Sequence, residues 1–301
     1  MRLKRLAYPY LLWMVLFTIL PLLLIAYYAF TTYDADGKLV FTFVGFSNIV
    51  TGDRVEMGAF GLRSLFGIHL SVPIYVNTFL LSLEMALVCT LICLAAGYPV
   101  SYVLANRARR LRGRSDLLLF LFVMPMWMNA LLRTYAWLAL LEPKGIVNSL
   151  LGMIGIAEQQ FLYNRFAIGL GMVYNYLPYM VLPIYSVLVK IDPNVVEAAE
   201  DLGANRAETF TRVIFPLSTP GILSGINMVF MPAMTTFLIP NLLGGGRYLL
   251  IGNVIERQYM VARDWTTASA LSIVLLVLVL LGMRVLTRNE AASGEGGSIL
   301  L

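Results

Sequence analysis

Charge is scarce in this chain: Asp, Glu, Lys and Arg together make up 13% of its 301 residues. A soluble domain carries about twice that share, so little of the chain is left for any soluble domain. Histidine occurs once, at His69, which excludes a histidine-built metal centre. The two cysteines, Cys89 and Cys93, stand four apart in an apolar run. Two thiols do not complete a metal site, and they read as small packing residues. No Walker A motif is present: Gly37-Lys38 is followed by Leu39 and lacks both the upstream glycine and the hydroxyl residue. The chain therefore cannot energise a process by itself. Its apolar stretches offer no metal cluster, Ser/Lys pair or paired aspartates at usable spacing, which argues against a membrane-embedded enzyme.

What is abundant is hydrocarbon, at 59% of residues. Long apolar runs predict an all-α polytopic membrane protein with six spans, at about 8–30, 73–104, 116–141, 165–189, 217–243 and 264–286. The first span follows Arg2, Lys4 and Arg5 and exceeds the apolar core of a signal peptide, about 7–15 residues, so it reads as a retained anchor. Residues 31–72 read as an external loop, with 60–70 its best candidate for a short amphipathic helix. The second span exceeds the roughly 20 residues needed to cross and carries Glu84. The third contains Arg133. A short external loop, 142–164, leads to the fourth span, with its string Tyr174-Asn175-Tyr176-Leu177-Pro178-Tyr179. The fifth is interrupted by Pro220, Pro232 and Pro240, and an external loop with Gly244-Gly245-Gly246 precedes the sixth. The tail from Thr287 is polar. Five arginines between 107 and 114 form a cytoplasmic topology signal rather than a nucleic-acid site. Of the 22 basic residues, thirteen fall in segments this scheme puts inside, which places both termini in the cytoplasm.

The most polar insert runs from Asp192 to Pro216. Asp192 caps a short helix with Pro193 in its first turn. Val195, Ala198, Ala199 and Leu202 form one apolar stripe. Gly203 ends that helix, and Asn205 with Glu208 fits a capping box for a second. The second carries Ala207, Phe210, Val213 and Ile214 on one face and is stopped by Pro216. A compact helix pair between spans, with small residues on its contact face, suits the grip of a soluble partner.

This spacing resembles the EAA loop of ABC importer permeases: Glu197-Ala198-Ala199, three residues, Gly203, nine residues, then an apolar run closed by Pro216. Val213 and Phe215 stand where that pattern has Ile and Leu. The resemblance implies the type I ABC importer permease (MetI-like) fold in a bacterial plasma (inner) membrane. It also implies that Glu197, Ala198, Ala199, Leu202, Gly203, Phe210 and Pro216 engage an ABC ATPase dimer. That ATPase holds the ATP and Mg, with no cofactor on this chain. A second homologous permease and an extracytoplasmic substrate-binding protein complete the implied partners, beside membrane lipid and without nucleic acid. The helix pair would act as a rigid handle that switches the passage between outward and inward access.

Further runs resemble the spermidine/putrescine branch: Gly97-Tyr98-Pro99, the run ending RTYAW at Trp137, YNYLPYMVLPIYS ending at Ser186, LLIGNVIERQ ending at Gln258, and Arg263-Asp264-Trp265. Permeases for thiamine, iron, sulfate or amino-acid-like solutes share the architecture and remain alternatives, as does a secondary transporter. A polycation needs carboxylates or aromatic faces along its path. Glu84 is a candidate, or else pairs with Arg133 as a structural ion pair. Tyr135, Trp137, Tyr174 and Tyr176 line the path or serve as belt and packing residues. Asp264 greets cations at the mouth or caps the sixth span.

Overall fold

In hydrocarbon a backbone must satisfy its own polar groups, and an apolar chain of this kind therefore folds largely into helices. A computed structural model describes residues 8–33, 38–56, 71–110 and 115–292. Along the chain come α1 (Tyr8–Met14), α2 (Leu20–Ala29), β1 (Thr31–Tyr33), β2 (Leu39–Phe41), α3 (Val44–Thr51), β3 (Arg54–Glu56) and β4 (Ser71–Pro73). Then follow α4 (Ile74–Arg110), α5 (Ser115–Val123), α6 (Ala130–Leu141), α7 (Ile146–Met153), α8 (Arg165–Lys190) and α9 (Pro193–Asp201). The last are α10 (Arg206–Thr209), α11 (Phe215–Thr235), α12 (Leu238–Leu243), α13 (Ile251–Arg257) and α14 (Trp265–Ala292). The strands form two antiparallel two-stranded ribbons, β1 with β2 and β3 with β4. The amphipathic segment expected at 60–70, and Arg2, Lys4, Arg5, Arg112 and Arg114 of the basic segments, lie outside the described residues.

Five described helices are long and apolar enough to cross a membrane: Pro9–Ala29, Ile74–Ala108, Arg165–Lys190, Arg206–Thr235 and Trp265–Arg284. The third expected span is not one straight helix. It divides into Leu117–Trp127 and a second piece from Ala130, bent by 91°. Pro125 lies in a 3-10 turn, Met128 is extended, and the Asn129 side chain accepts the Leu131 N–H at 2.8 Å to start a new helix. The expected fifth span also differs. Its helix runs through Pro220 and Pro232 but stops at Thr235, and Pro240 falls in the separate α12. Residues 244–263, read from sequence as a loop, contain α13 and a π-helical turn, Gln258–Ala262. The polar tail is helical as far as Ala292.

Two π turns share one cause. Val15–Ile19 and Phe210–Ile214 are each followed by one residue and then a proline, Pro21 or Pro216. The Leu20 N–H reaches back to the Val15 carbonyl and the Phe215 N–H to the Phe210 carbonyl, five residues each. The wider turn moves aside the carbonyl that a proline ring strikes in a regular helix. Both helices thus continue through their prolines.

The chain divides into two compact units, one of residues 1–81 and 250–280, the other of 82–249 and 281–301. In the first, Asn48 donates to the Thr267 hydroxyl at 3.1 Å, Thr266 to the Thr31 carbonyl at 2.9 Å, and Gln258 to the Tyr75 hydroxyl at 2.8 Å. Trp265 packs against Tyr28 and Tyr259. In the second, α8 packs along α11 around buried Met180, Ile184, Leu188 and Val229. Small residues set this approach. A Cβ on Gly221 would stand 2.9 Å from the Pro183 carbonyl oxygen and 3.1 Å from the Ile184 Cα. Both are backbone atoms, so Gly221→Ala forces the helices apart. The expected loss is about 1–3 kcal/mol, read as a lower melting temperature of the detergent-solubilised protein.

Candidate functional site

Residues 192–216 are held by local bonds at every joint. The Asp192 carboxylate accepts the Asn194 N–H at 3.0 Å, with Pro193 in the first turn of α9. At the other end Gly203 has φ +87, a left-handed conformation that costs glycine little. The Gly203 N–H bonds to the Glu200 carbonyl at 2.9 Å and the Ala204 N–H to the Ala199 carbonyl at 3.1 Å. These two bonds make a Schellman stop. Asn205 Oδ1 then accepts the N–H groups of Ala207 and Glu208 at 3.0 Å each, while Glu208 Oε2 accepts the Asn205 N–H at 3.0 Å. The joint between the two helical arms is thus held by its own hydrogen bonds.

The two arms face differently. On α9, Glu197 and Ala198 are exposed, Ala199 is half-buried and Val195 is 45% exposed, and Leu202, which caps its C-terminal end, is 89% exposed. Phe210 does not join that surface. Its ring lies 5.8 Å from Tyr98 and 5.3 Å from Tyr102, edge-on to both. Phe210 is half-buried and Ile214 buried. Pro216 does not stop the second arm: Arg206–Thr235 is one helix of 30 residues, joined through the π turn. Any displacement of the loop therefore enters the fifth span directly.

A second tie links this helix to α4. The Ser218 hydroxyl donates to the Phe215 carbonyl at 2.8 Å, which commits its proton. Its oxygen is left to accept from the Tyr98 hydroxyl at 2.9 Å. Ser218 is fully buried and Tyr98 is 8% exposed, and Phe215 packs 5.6 Å from the Tyr98 ring. Sequence reasoning gave these residues no role, although Gly97-Tyr98-Pro99 stood out as a run.

The candidate path residues are scattered in character. Glu84 is half-buried and has no hydrogen-bond or ion-pair partner among the described residues. Arg133 is 6% exposed, and its Nε and Nη1 have no hydrogen-bond partner. The two do not pair, so the structural ion pair considered from sequence is not formed. Trp137 and Tyr174 meet edge-to-face at 5.3 Å, with Tyr174 37% exposed. Tyr135 is 48% exposed. The Tyr176 hydroxyl donates to the Pro232 carbonyl at 3.2 Å and so covers an acceptor near the end of α11. Asp264 caps α14: its Oδ1 accepts the Thr267 N–H at 3.0 Å. Among the described residues no group of three or more His, Cys, Asp and Glu is placed to hold a metal ion.

A family profile described as binding-protein-dependent transport system inner membrane component matches residues 2–292. The chain is 38% identical over 271 residues to the spermidine/putrescine transport system permease protein PotB of Escherichia coli (strain K12), covering 89% of this chain and 90% of that protein. The protein of the same name from Haemophilus influenzae is 37% identical over 273 residues, covering 89% and 87%. Among solved structures, a bacterial ABC transporter involved in the import of the acidic polysaccharide alginate has a chain similar to this one. It aligns with TM-score 0.69 at 18% identity over 95% of both chains, a likeness of fold.

Proposed function

Because the chain belongs to the family of binding-protein-dependent transport system inner membrane components, we propose that it passes spermidine, putrescine or a close polyamine through the membrane. It is a multi-pass inner-membrane permease of an ABC importer. In the proposed complex it forms half of the passage and a homologous permease the other half. A dimeric ABC ATPase, carrying the ATP and Mg, grips α9 through Leu202, Val195 and Ala198. A substrate-binding protein delivers the solute on the opposite face, and both termini of this chain lie in the cytoplasm. The observation that carries the cargo is the 38% identity, sustained over 89% of the chain, to a permease named for these two amines. The chain itself contributes passage and handle; chemistry on the nucleotide stays with the partner.

The path needs a counter-charge for an ammonium group, and half-buried Glu84, without a partner among the described residues, supplies one. Glu84→Gln keeps the volume and removes the charge. A charge-assisted hydrogen bond is worth about 1.5–3 kcal/mol, so polyamine uptake falls about tenfold or more. Uptake by equal amounts of the two proteins in proteoliposomes reads this. Parent-level uptake in the Gln variant would remove Glu84 from the path.

The cargo is tested by reconstituting the whole complex and screening solutes for stimulated ATP hydrolysis. Spermidine and putrescine are expected to stimulate it. Stimulation by thiamine, iron or sulfate alone would reassign the cargo while leaving the permease role intact.

A further inference from the structure

Four phenylalanines gather where the first span ends. The Phe30 ring follows the last residue of α2 and stacks on Phe41 at 5.7 Å with an interplanar angle of 7°. It meets Phe43 edge-on at 5.5 Å and Phe46 at 5.2 Å, and Phe41 meets Phe43 at 5.5 Å. These rings do not close into a core. Phe41 is 67% exposed and Phe43 61%, and Leu39, Val40 and Val44 beside them are 43–50% exposed. Folding has assembled an apolar surface and left it open.

The surface is fastened to the span. The Thr42 N–H bonds to the Phe30 carbonyl at 2.8 Å, and the Thr31 hydroxyl to the Tyr27 carbonyl at 2.7 Å. Thr266 holds the Thr31 carbonyl from α14. In the β1–β2 register Phe41 stands opposite Thr31, two residues past the end of α2. Cross-strand Cα atoms are about 5 Å apart. The headgroup layer beyond the hydrocarbon is about 5–8 Å deep on each side. With the end of α2 at the edge of the hydrocarbon, Phe41 stands within reach of that layer. Their surface also continues the open face of α2, where Leu22, Leu23, Leu24 and Tyr27 are 46–61% exposed.

We propose that the β1–β2 ribbon and the start of α3 form an interfacial wedge. Phe41 and Phe43 seat in the headgroup–acyl boundary of the lipid and fix the depth of the first span. Aromatic rings favour that boundary, and a wedge tied to both α2 and α14 resists axial sliding of the span.

The test uses the permease in its complex, in phosphatidylcholine vesicles containing phosphatidylglycerol. Phe43→Cys is labelled with an environment-sensitive fluorophore. The native cysteines, Cys89 and Cys93, are 2% and 0% exposed and stay unlabelled. Val40→Cys gives a second label position should the first disturb the ring cluster. Lipids carrying a spin label near the headgroup are expected to remove most of the emission, lipids labelled at the acyl terminus less, and iodide in the water least. Stronger quenching by iodide than by lipid would place the wedge in water. Protection from both quenchers would place a protein chain over it. Either result overturns the proposal.

Discussion

Replacing Leu202 with aspartate is expected to abolish ATP-driven uptake while leaving the permease folded in the membrane. The side chain is 89% exposed, so it contributes almost nothing to the fold of this chain. Its backbone, at φ −77 and ψ 5, accepts aspartate without strain. What changes is the only almost fully open apolar side chain on the described loop, and a carboxylate put there must be desolvated to enter a partner's groove. A central apolar anchor lost from an interface costs about 2–4 kcal/mol, which weakens the grip about 30- to 1,000-fold. The measurement pairs uptake in proteoliposomes with recovery of the ATPase on the purified permease. Both fall together in the expected outcome. Parent-level uptake would mean that the stripe on α9 is an ordinary wetted surface.

The next largest effect is at Tyr98, and it separates holding the handle from moving with it. Tyr98→Ala removes a ring that touches Phe210 and Phe215 and leaves a void between α4 and the base of the fifth span. A buried aromatic truncation of this kind costs about 3–5 kcal/mol, so the variant is expected to assemble poorly. Tyr98→Phe keeps the rings and removes only the hydrogen bond to Ser218, about 1 kcal/mol. That variant assembles, retains the ATPase, and spends more ATP per solute moved, because α4 no longer follows the loop faithfully. The ratio of ATP hydrolysed to solute accumulated reads the difference. Equal ratios in the parent and Tyr98→Phe proteins would reduce the bond to a packing detail.

The loop was legible because its architecture is written in local rules. Asp192, Gly203, Asn205 and Glu208 each act within four residues of themselves, and each makes the bond that its spacing implies. The helices of the first, second, fourth and sixth spans were legible for a similar reason, since an apolar run in lipid has few alternatives. Long-range and strained features were not. Pro216 reads locally as a stop, and only the π turn before it carries the helix through. The bend after Pro125 depends on Met128 turning extended and Asn129 starting a new helix, neither of which an apolar run announces. Phe210 and the outward residues of α9 share one motif, yet Phe210 belongs to the aromatic cluster with Tyr98 and Tyr102. Which side of a helix meets its own chain is decided by packing against residues far from the motif in sequence. Glu84 and Arg133 illustrate the same limit. Their opposite charges invited pairing on paper, whereas the folded chain leaves the Arg133 Nε and Nη1 without a partner.

A cysteine placed at position 202 offers the most direct measurement of the handle. Leu202→Cys introduces the single reactive thiol on the described part of the chain, because Cys89 and Cys93 are buried. A short thiol-to-amine crosslinker is applied to membranes that contain the complete transporter, with and without nucleotide. The expected result is a covalent adduct between this chain and the ATPase subunit, its yield changing when nucleotide closes the ATPase dimer. Efficient labelling of the introduced thiol by a small water-soluble reagent, with no ATPase adduct in either state, would contradict it.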